Sequence, residues 1–206
     1  MTAQLLLLLS LALQLLSAPP ASAPRFEQDG VPFSFDIPKS LTPSVGRANE
    51  ILVVELRDWA KDDNFRAFQL SIRTEPADKN VPLEALSTRI VAGLRGAGAY
   101  EDVKVHRKAR ATWRGLDTLD LHMTYVNVGG REYYQDHRGR ERHTSGTHLK
   151  MESLVRIFYR KGVQYTLTLD SSIGQSAERH AQWNTVLQSF RFGSRDKQSE
   201  MGSETP

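Results

Sequence analysis

Three histidines crowd one polar stretch of the chain. His137, His143 and His148 stand with Glu132, Asp136 and Glu141 close by. Neutral imidazole with carboxylate is suitable ligation for zinc or another divalent cation. The spacing matches no established motif, with no H-E-x-x-H and no His pair four residues apart. Arg138, Arg140 and Arg142 sit among the would-be ligands and repel a cation. The stretch therefore reads first as a solvated or partner-contacting loop, with a metal site at His137, His143 and His148 as the alternative. Ser145 lies between His143 and His148. A nucleophilic triad needs a base held by a third group on a rigid scaffold, and these candidates all share one polar stretch. The strained G-x-S-x-G elbow is absent. Gly93, Gly96 and Gly98 follow a helical pattern and read as its stop, because phosphate cradles sit at helix starts. No P-loop is present, and nothing calls for a cofactor.

Contact chemistry is better represented than bond-making chemistry. Lys104, Arg107, Lys108, Arg110 and Arg114 form one basic group, and Arg131, Arg138, Arg140 and Arg142 a second. Together they suit an acidic protein, an anionic lipid or a cell-wall polymer. The bland reading is a solvated surface balanced by Glu101, Asp102, Glu132 and Asp136. Tyr133 and Tyr134 beside Arg131, and Trp59 in a polar turn, are aromatic anchors of the kind that dominate interfaces. The candidate binding set is thus Trp59, Arg131, Tyr133, Tyr134, Arg138, Arg140 and Arg142.

The elements that must position these residues follow from periodicity. Phe33, Phe35 and Ile37 alternate with Ser34 and Asp36, a half-buried strand closed by Pro38. Lys39 to Asn49 reads as a loop broken by Pro43 and Gly46. Glu50 to Arg57 is apolar on both faces and forms a hairpin with Phe65 to Arg73. Pro82 opens a helix marked by Leu83, Leu86, Ile90 and Leu94. Val103 and Val105 continue as a strand, and Leu119, Leu121, Met123 and Tyr125 mark another, alternating with Asp120, His122 and Thr124. Arg131 to Lys150 is a long loop, or a loose hairpin extension. Met151 to Arg160 and Val163 to Asp170 are strands joined at Lys161-Gly162. Trp183, Val186, Leu187 and Phe190 mark a second helix, with His180 at the border of its apolar face. Two helices and about seven strands in this order predict an α+β domain with a mostly antiparallel sheet.

The chain has 206 residues, with 27 Lys+Arg against 24 Asp+Glu, a net +3. That excess is too small for a dedicated nucleic-acid binder. No charged side chain precedes Arg25, and Leu5 to Leu16 is nearly unbroken apolar sequence ahead of Ala21-Ser22-Ala23. This reads as a secretory signal over 1–23 followed by one domain, 24–192, and a disordered tail, 193–206. Pro24 follows the expected cut and impedes signal peptidase, so an uncleaved anchor stays open. After cleavage no integral membrane domain is expected. With no cysteine there are no disulfides, thiolate metals or lipidated N-terminus, which suits a periplasmic or extracellular protein that is not a lipoprotein.

The segment Gly30 to Pro38 resembles the "G-x-x-F-x-x-P" strand that opens domains of the PsbP/Mog-type superfamily, which includes bacterial DcrB-like proteins. Pro82-Leu83-Glu84-Ala85, then Trp113-Arg114-Gly115 leading into Leu119 to Tyr125, resembles the centre of those domains. Leu187-Gln188-Ser189-Phe190-Arg191-Phe192 is similar to their "L-x-S-F-x-F" terminus. The resemblance spans Phe26 to Phe192. It implies an α/β/α sandwich, an antiparallel sheet between helices. PsbP proteins are accessory subunits of photosystem II, Mog proteins bind a small GTPase, and the bacterial members are exported. The resemblance thus implies a non-catalytic accessory or protein-interaction module of the cell envelope. The matching residues are packing residues, and no catalytic position transfers. The alternative is a small-ligand or divalent-metal carrier using the His-rich loop 131–150. A third reading is a hydrolase around Ser145. The partner and the oligomeric state are not written in the sequence.

Overall fold

The structure is a computed structural model, and it describes residues 23–58, 68–78, 81–128 and 148–193, with the backbone of 133–135 and 141–143. The expected signal segment up to residue 22, Trp59 and the expected tail from residue 194 lie outside the described residues.

Alternation of apolar and polar side chains builds most of the fold. In chain order the strands are β1 (Arg25–Phe26), β2 (Phe33–Asp36), β3 (Thr42–Ala48), β4 (Ile51–Arg57) and β5 (Phe68–Pro76). Helix α1 (Leu83–Gly96) follows, then β6 (Tyr100–Trp113), β7 (Leu116–Asn127), β8 (Tyr133–Gln135) and β9 (Glu141–His143). The chain continues through β10 (Leu149–Arg160), β11 (Val163–Ser172), α2 (Ser176–Ser189) and β12 (Arg191–Phe192). The main sheet has seven strands in the order β3-β4-β5-β11-β10-β7-β6. Every neighbouring pair in it is antiparallel. β1, β2 and β12 form a separate three-stranded sheet.

Tight hairpins hold the register. Arg114-Gly115 and Lys161-Gly162 take positive φ at both central residues, the geometry of turns that match strand twist. One expectation fails. Lys39 to Asn49 is not a loop: Thr42–Ala48 is strand β3, paired residue by residue with β4. Pro43 and Gly46 are tolerated there because β3 lies at the sheet edge and most of its side chains are exposed.

The two faces of the sheet are packed differently. One face meets α2 and the small sheet over an aromatic core that includes Phe33, Phe35, Phe158, Tyr165, Trp183 and Phe190. The Phe158 and Tyr165 rings stack at 4.9 Å, and Trp113 lies 5.4 Å from both Phe158 and Phe190. Each such buried ring stabilises the domain by about 1.5–3 kcal/mol through area alone. On the other face, α1 lays Leu83 and Leu86 over Leu119, Leu121, Met123, Val155 and Ile157. Pro82 stands just ahead of α1, and its carbonyl accepts the Ala85 N–H at 2.9 Å. Helices on both faces make the α/β/α layering that the family resemblance implies.

Candidate functional site

The site grows from an irregularity in an edge strand. In β6 the pairing with β7 shifts between Val105 and Arg107. A bulge of this kind inserts a residue and re-aims its neighbours. Val105 faces Met123 across the ladder, and Arg107 faces His122. The extra residue, His106, also joins the His122 side: its Nε2 lies 2.7 Å from Thr124 Oγ1, and its ring 5.2 Å from that of His122. Two consecutive residues therefore point to the α2 face, which strict alternation forbids.

Beyond the bulge, alternation resumes and the cations divide. Lys108 and Arg110 emerge toward α1. Arg110 clamps Glu84 in the first turn of α1 through Nε to Oε1 at 2.6 Å and Nη2 to Oε2 at 2.9 Å. That hydrogen bond, with the nearby Arg110 and Lys108 charges, holds the Glu84 carboxyl below its usual range. Lys108 Nζ reaches the Glu84 carbonyl at 3.5 Å. Arg114 in the β6–β7 turn donates to the Gln188 and Leu187 carbonyls at 2.5 and 3.4 Å, at the end of α2 where free carbonyls gather. Lys104 pairs with Asp102 at 2.8 Å. Arg107 alone of the first basic group has no hydrogen-bonding or ionic partner among the described residues.

Arg107 opens a groove of about 160 Å³ lined also by Asp120, His122, Leu154, Arg156 and Trp183. Trp183 comes from α2, Leu154 and Arg156 from β10, Asp120 and His122 from β7. Arg156 forks onto Asp120 at 2.7 and 2.6 Å and lies 5.2 Å from the Trp113 ring. At the rim, Glu152 joins two histidines from distant segments. Its Oε1 lies 2.8 Å from His122 Nε2 and its Oε2 2.9 Å from His180 Nε2. The Glu152 side chain is 12% exposed, those of His122 and His180 36% and 39%. Burial pushes the Glu152 carboxyl up. Hydrogen bonds from Ser176, His122 and His180 and the charge of His180 outweigh burial, so it sits below its ordinary range.

The opposite face has its own buried acid. Burial pushes the Asp170 carboxyl up, against hydrogen bonds from Ser153 and Tyr125. Tyr125 donates to Asp170 at 3.2 Å and is itself pushed up by burial.

The candidates from sequence fall largely elsewhere. Arg131, Arg138, Arg140 and His137 lie outside the described residues, as does Trp59; Tyr133, Tyr134, Arg142 and His143 are described in backbone only. β8 and β9 pair antiparallel, Tyr133 with His143 and Gln135 with Glu141. Their pairing is in register with that of Asn127 and Leu149, and they form a two-stranded sheet of their own. His148 is exposed. Among the described residues no group of three His, Asp or Glu side chains is arranged to hold a metal ion. Sequence reasoning missed His106, His122 and the role of His180. The available signal was His122 on the polar side of an alternating strand, two residues from Asp120 and from Thr124.

No protein-family model matches the sequence, and no curated protein is similar to it. Solved structures are informative. The solution structure of cyanobacterial PsbP (CyanoP) from Synechocystis superposes with a TM-score of 0.56 at 14% identity, over 85% of this chain and 95% of that one. The chain has the PsbP-like fold. The Saccharomyces cerevisiae Ran-binding protein Mog1p superposes with a TM-score of 0.48 at 8% identity, over 84% of this chain and 96% of that one. Within the PsbP-like sandwich the His-lined groove lies between α2 and the strands β6, β7 and β10. No helix among the described residues is long and apolar enough to cross a membrane.

Proposed function

We propose that this chain is an exported, non-catalytic accessory protein of the bacterial cell envelope, and that it docks another envelope protein through the α2–β6 groove. One observation carries the reading: the β6 bulge turns His106 and Arg107 to one side of the sheet, where Arg107 lines a groove, while the neighbouring cations are occupied in holding the helices. A bulged edge strand with a free guanidinium and a Trp floor suits contact. The rim holds imidazoles and a carboxylate, with the Thr124 hydroxyl 2.7 Å from His106 Nε2. The apolar run Leu5 to Leu16 ahead of Ala21-Ser22-Ala23 supports export, and the absence of cysteine suits a periplasmic or extracellular site. The proposed contact also includes Arg131, Tyr133, Tyr134, Arg138, Arg140 and Arg142, since the β8–β9 pair keeps the register of the strands that carry His122 and Glu152.

The test is site-specific photocrosslinking of the full chain in cells, with the probe at Lys104, which faces Thr124 on the His122 side of the sheet and whose side chain is 61% exposed. The expected result is one discrete envelope adduct, lost on Arg107→Ala and weakened when Arg138, Arg140 and Arg142 become Ala. An adduct pattern matching that of a probe at Arg89 on α1 would sink the reading. Fractionation of the same cells must place the chain outside the cytoplasm.

A further inference from the structure

Resting on that docking reading, we infer that Arg179 of α2 is a positioning residue for the groove. It seats α2 on the ends of β4 and β5, and that seat sets where Trp183 and His180 face Arg107 and Glu152.

A helix laid on an aromatic core has no need of a buried cation. Arg179 nevertheless stands on the buried face of α2 with Gln182, Trp183 and Val186, among the largest fully buried side chains of the domain. Its guanidinium stacks on the Phe68 ring, with Cζ 3.9 Å from the ring centroid, and its Nη1 lies 3.6 Å from Asp58 Oδ2. Asp58 directly follows β4 and Phe68 opens β5, so one side chain holds the ends of two neighbouring strands. Two glutamines orient the fork. Gln175 Oε1 accepts from Nε and Nη2 at 3.3 and 3.2 Å, and Gln182 Oε1 accepts from Nη1 at 3.0 Å. A planar fork held in this way has a direction, which an apolar side chain lacks.

The pair is poorly built for stability. The Arg179 and Asp58 side chains are 1% and 0% exposed, so both charges have lost their water. Asp58 Oδ1 has no hydrogen-bond partner among the described residues, and Ser40 Oγ reaches Oδ2 only at 3.5 Å. A buried pair offsets its desolvation only with close geometry and with its remaining polar atoms satisfied. Otherwise apolar residues of similar volume are often as stabilising or more so. Direction is what the pair supplies. The rings of the core, Phe33, Phe35, Phe158 and Phe190, hold α2 without fixing its position, because burial of apolar area is non-directional. Trp183 lies one turn beyond Arg179 on the same face of α2 and lines the groove. His180 is the next residue and meets Glu152 at 2.9 Å. A shift of α2 at Arg179 therefore moves both groups against Arg107 and His122, which the sheet carries.

The experiment replaces the pair by apolar side chains of similar size, Arg179→Met with Asp58→Leu, in the full chain. Three quantities are read: the unfolding midpoint, the backbone amide NMR shifts of Arg107 and His122, and the Lys104 crosslink. Strands β5, β11 and β10 separate β4 from β7, so a change at Asp58 reaches those amides only through α2. The double variant should unfold at or above the wild-type midpoint. Its Arg107 and His122 amides should shift, and the adduct should fall about threefold or more. Phe68→Leu, which keeps apolar volume and removes the ring under the guanidinium, should move the same two amides by less. Leu52→Ala, at the far end of β4, should lower the midpoint and leave the amides and the adduct unchanged. A double variant that fails to fold or melts well below wild type makes the pair a stabiliser and overturns the inference. So does a stable double variant whose two amides stay in place, or a Leu52→Ala chain whose amides move as far. If the wild-type chain gives no Lys104 adduct, the docking reading falls, and the amides still decide whether Arg179 places α2.

Discussion

Lys108 and Arg110 leave strand β6 on one side of the sheet, His106 and Arg107 on the other, and the two pairs have different fates. The first pair is consumed by Glu84 and fastens α1. The second faces a groove, and its guanidinium is free among the described residues. Composition cannot separate them, since all four sit in one basic run. Register does. The bulge between Val105 and Arg107 breaks the alternation that would have sent one member of the second pair to the α1 side. A cluster of positive charge in a sequence is therefore two populations, one structural and one available.

Substitutions on the two sides should separate in kind, and their effects on stability should form a descending series. The shared platform comes first. Phe158→Ala removes a fully buried ring packed on Trp113 and Tyr165, and should cost about 3–5 kcal/mol in denaturant unfolding. Next is the groove wall: Arg156→Met leaves Asp120 without its fork and should cost about 1.5–3 kcal/mol.

Glu152 sharpens the contrast through pH. Its carboxyl is held below the ordinary range by Ser176, His122 and His180 despite its burial. A lowered folded-state value contributes stability above the unfolded value of about 4.3, and that contribution is lost as pH falls through the folded value. Glu152→Gln should flatten the acid limb of the stability curve, while Arg110→Ala should leave the Glu152 part of that limb intact. A curve unchanged by Glu152→Gln would separate Glu152 from the acid transition.

The pattern of what could be read in advance has a physical basis. The strands around Phe33, Leu70, Leu121, Val155 and Leu167 and the helix from Leu83 were legible because one-sided burial imposes a period of two or 3.6. β3 was not, because an edge strand exposed on most positions buries too little to show a pattern, and Pro43 and Gly46 imitate a loop. The rim of the groove was also hidden. His106, His122, Glu152 and His180 come from four elements, and only the sheet order and the placement of α2 bring them together. His180 looked like a packed histidine at the edge of an apolar face. In the structure it is the α2 contribution to the rim.

The measurement closest to the central claim compares two single variants made in parallel, Arg107→Ala and Arg110→Ala, each scored for unfolding midpoint and for the Lys104 crosslink. The account predicts a crossed result. Arg110→Ala should lower the midpoint slightly, less so at high salt, and keep the crosslink. Arg107→Ala should leave the midpoint unchanged and lose the crosslink. If Arg107→Ala destabilises the fold as Arg110→Ala does, or if both variants keep the crosslink, the division of β6 into a structural side and a binding side is wrong.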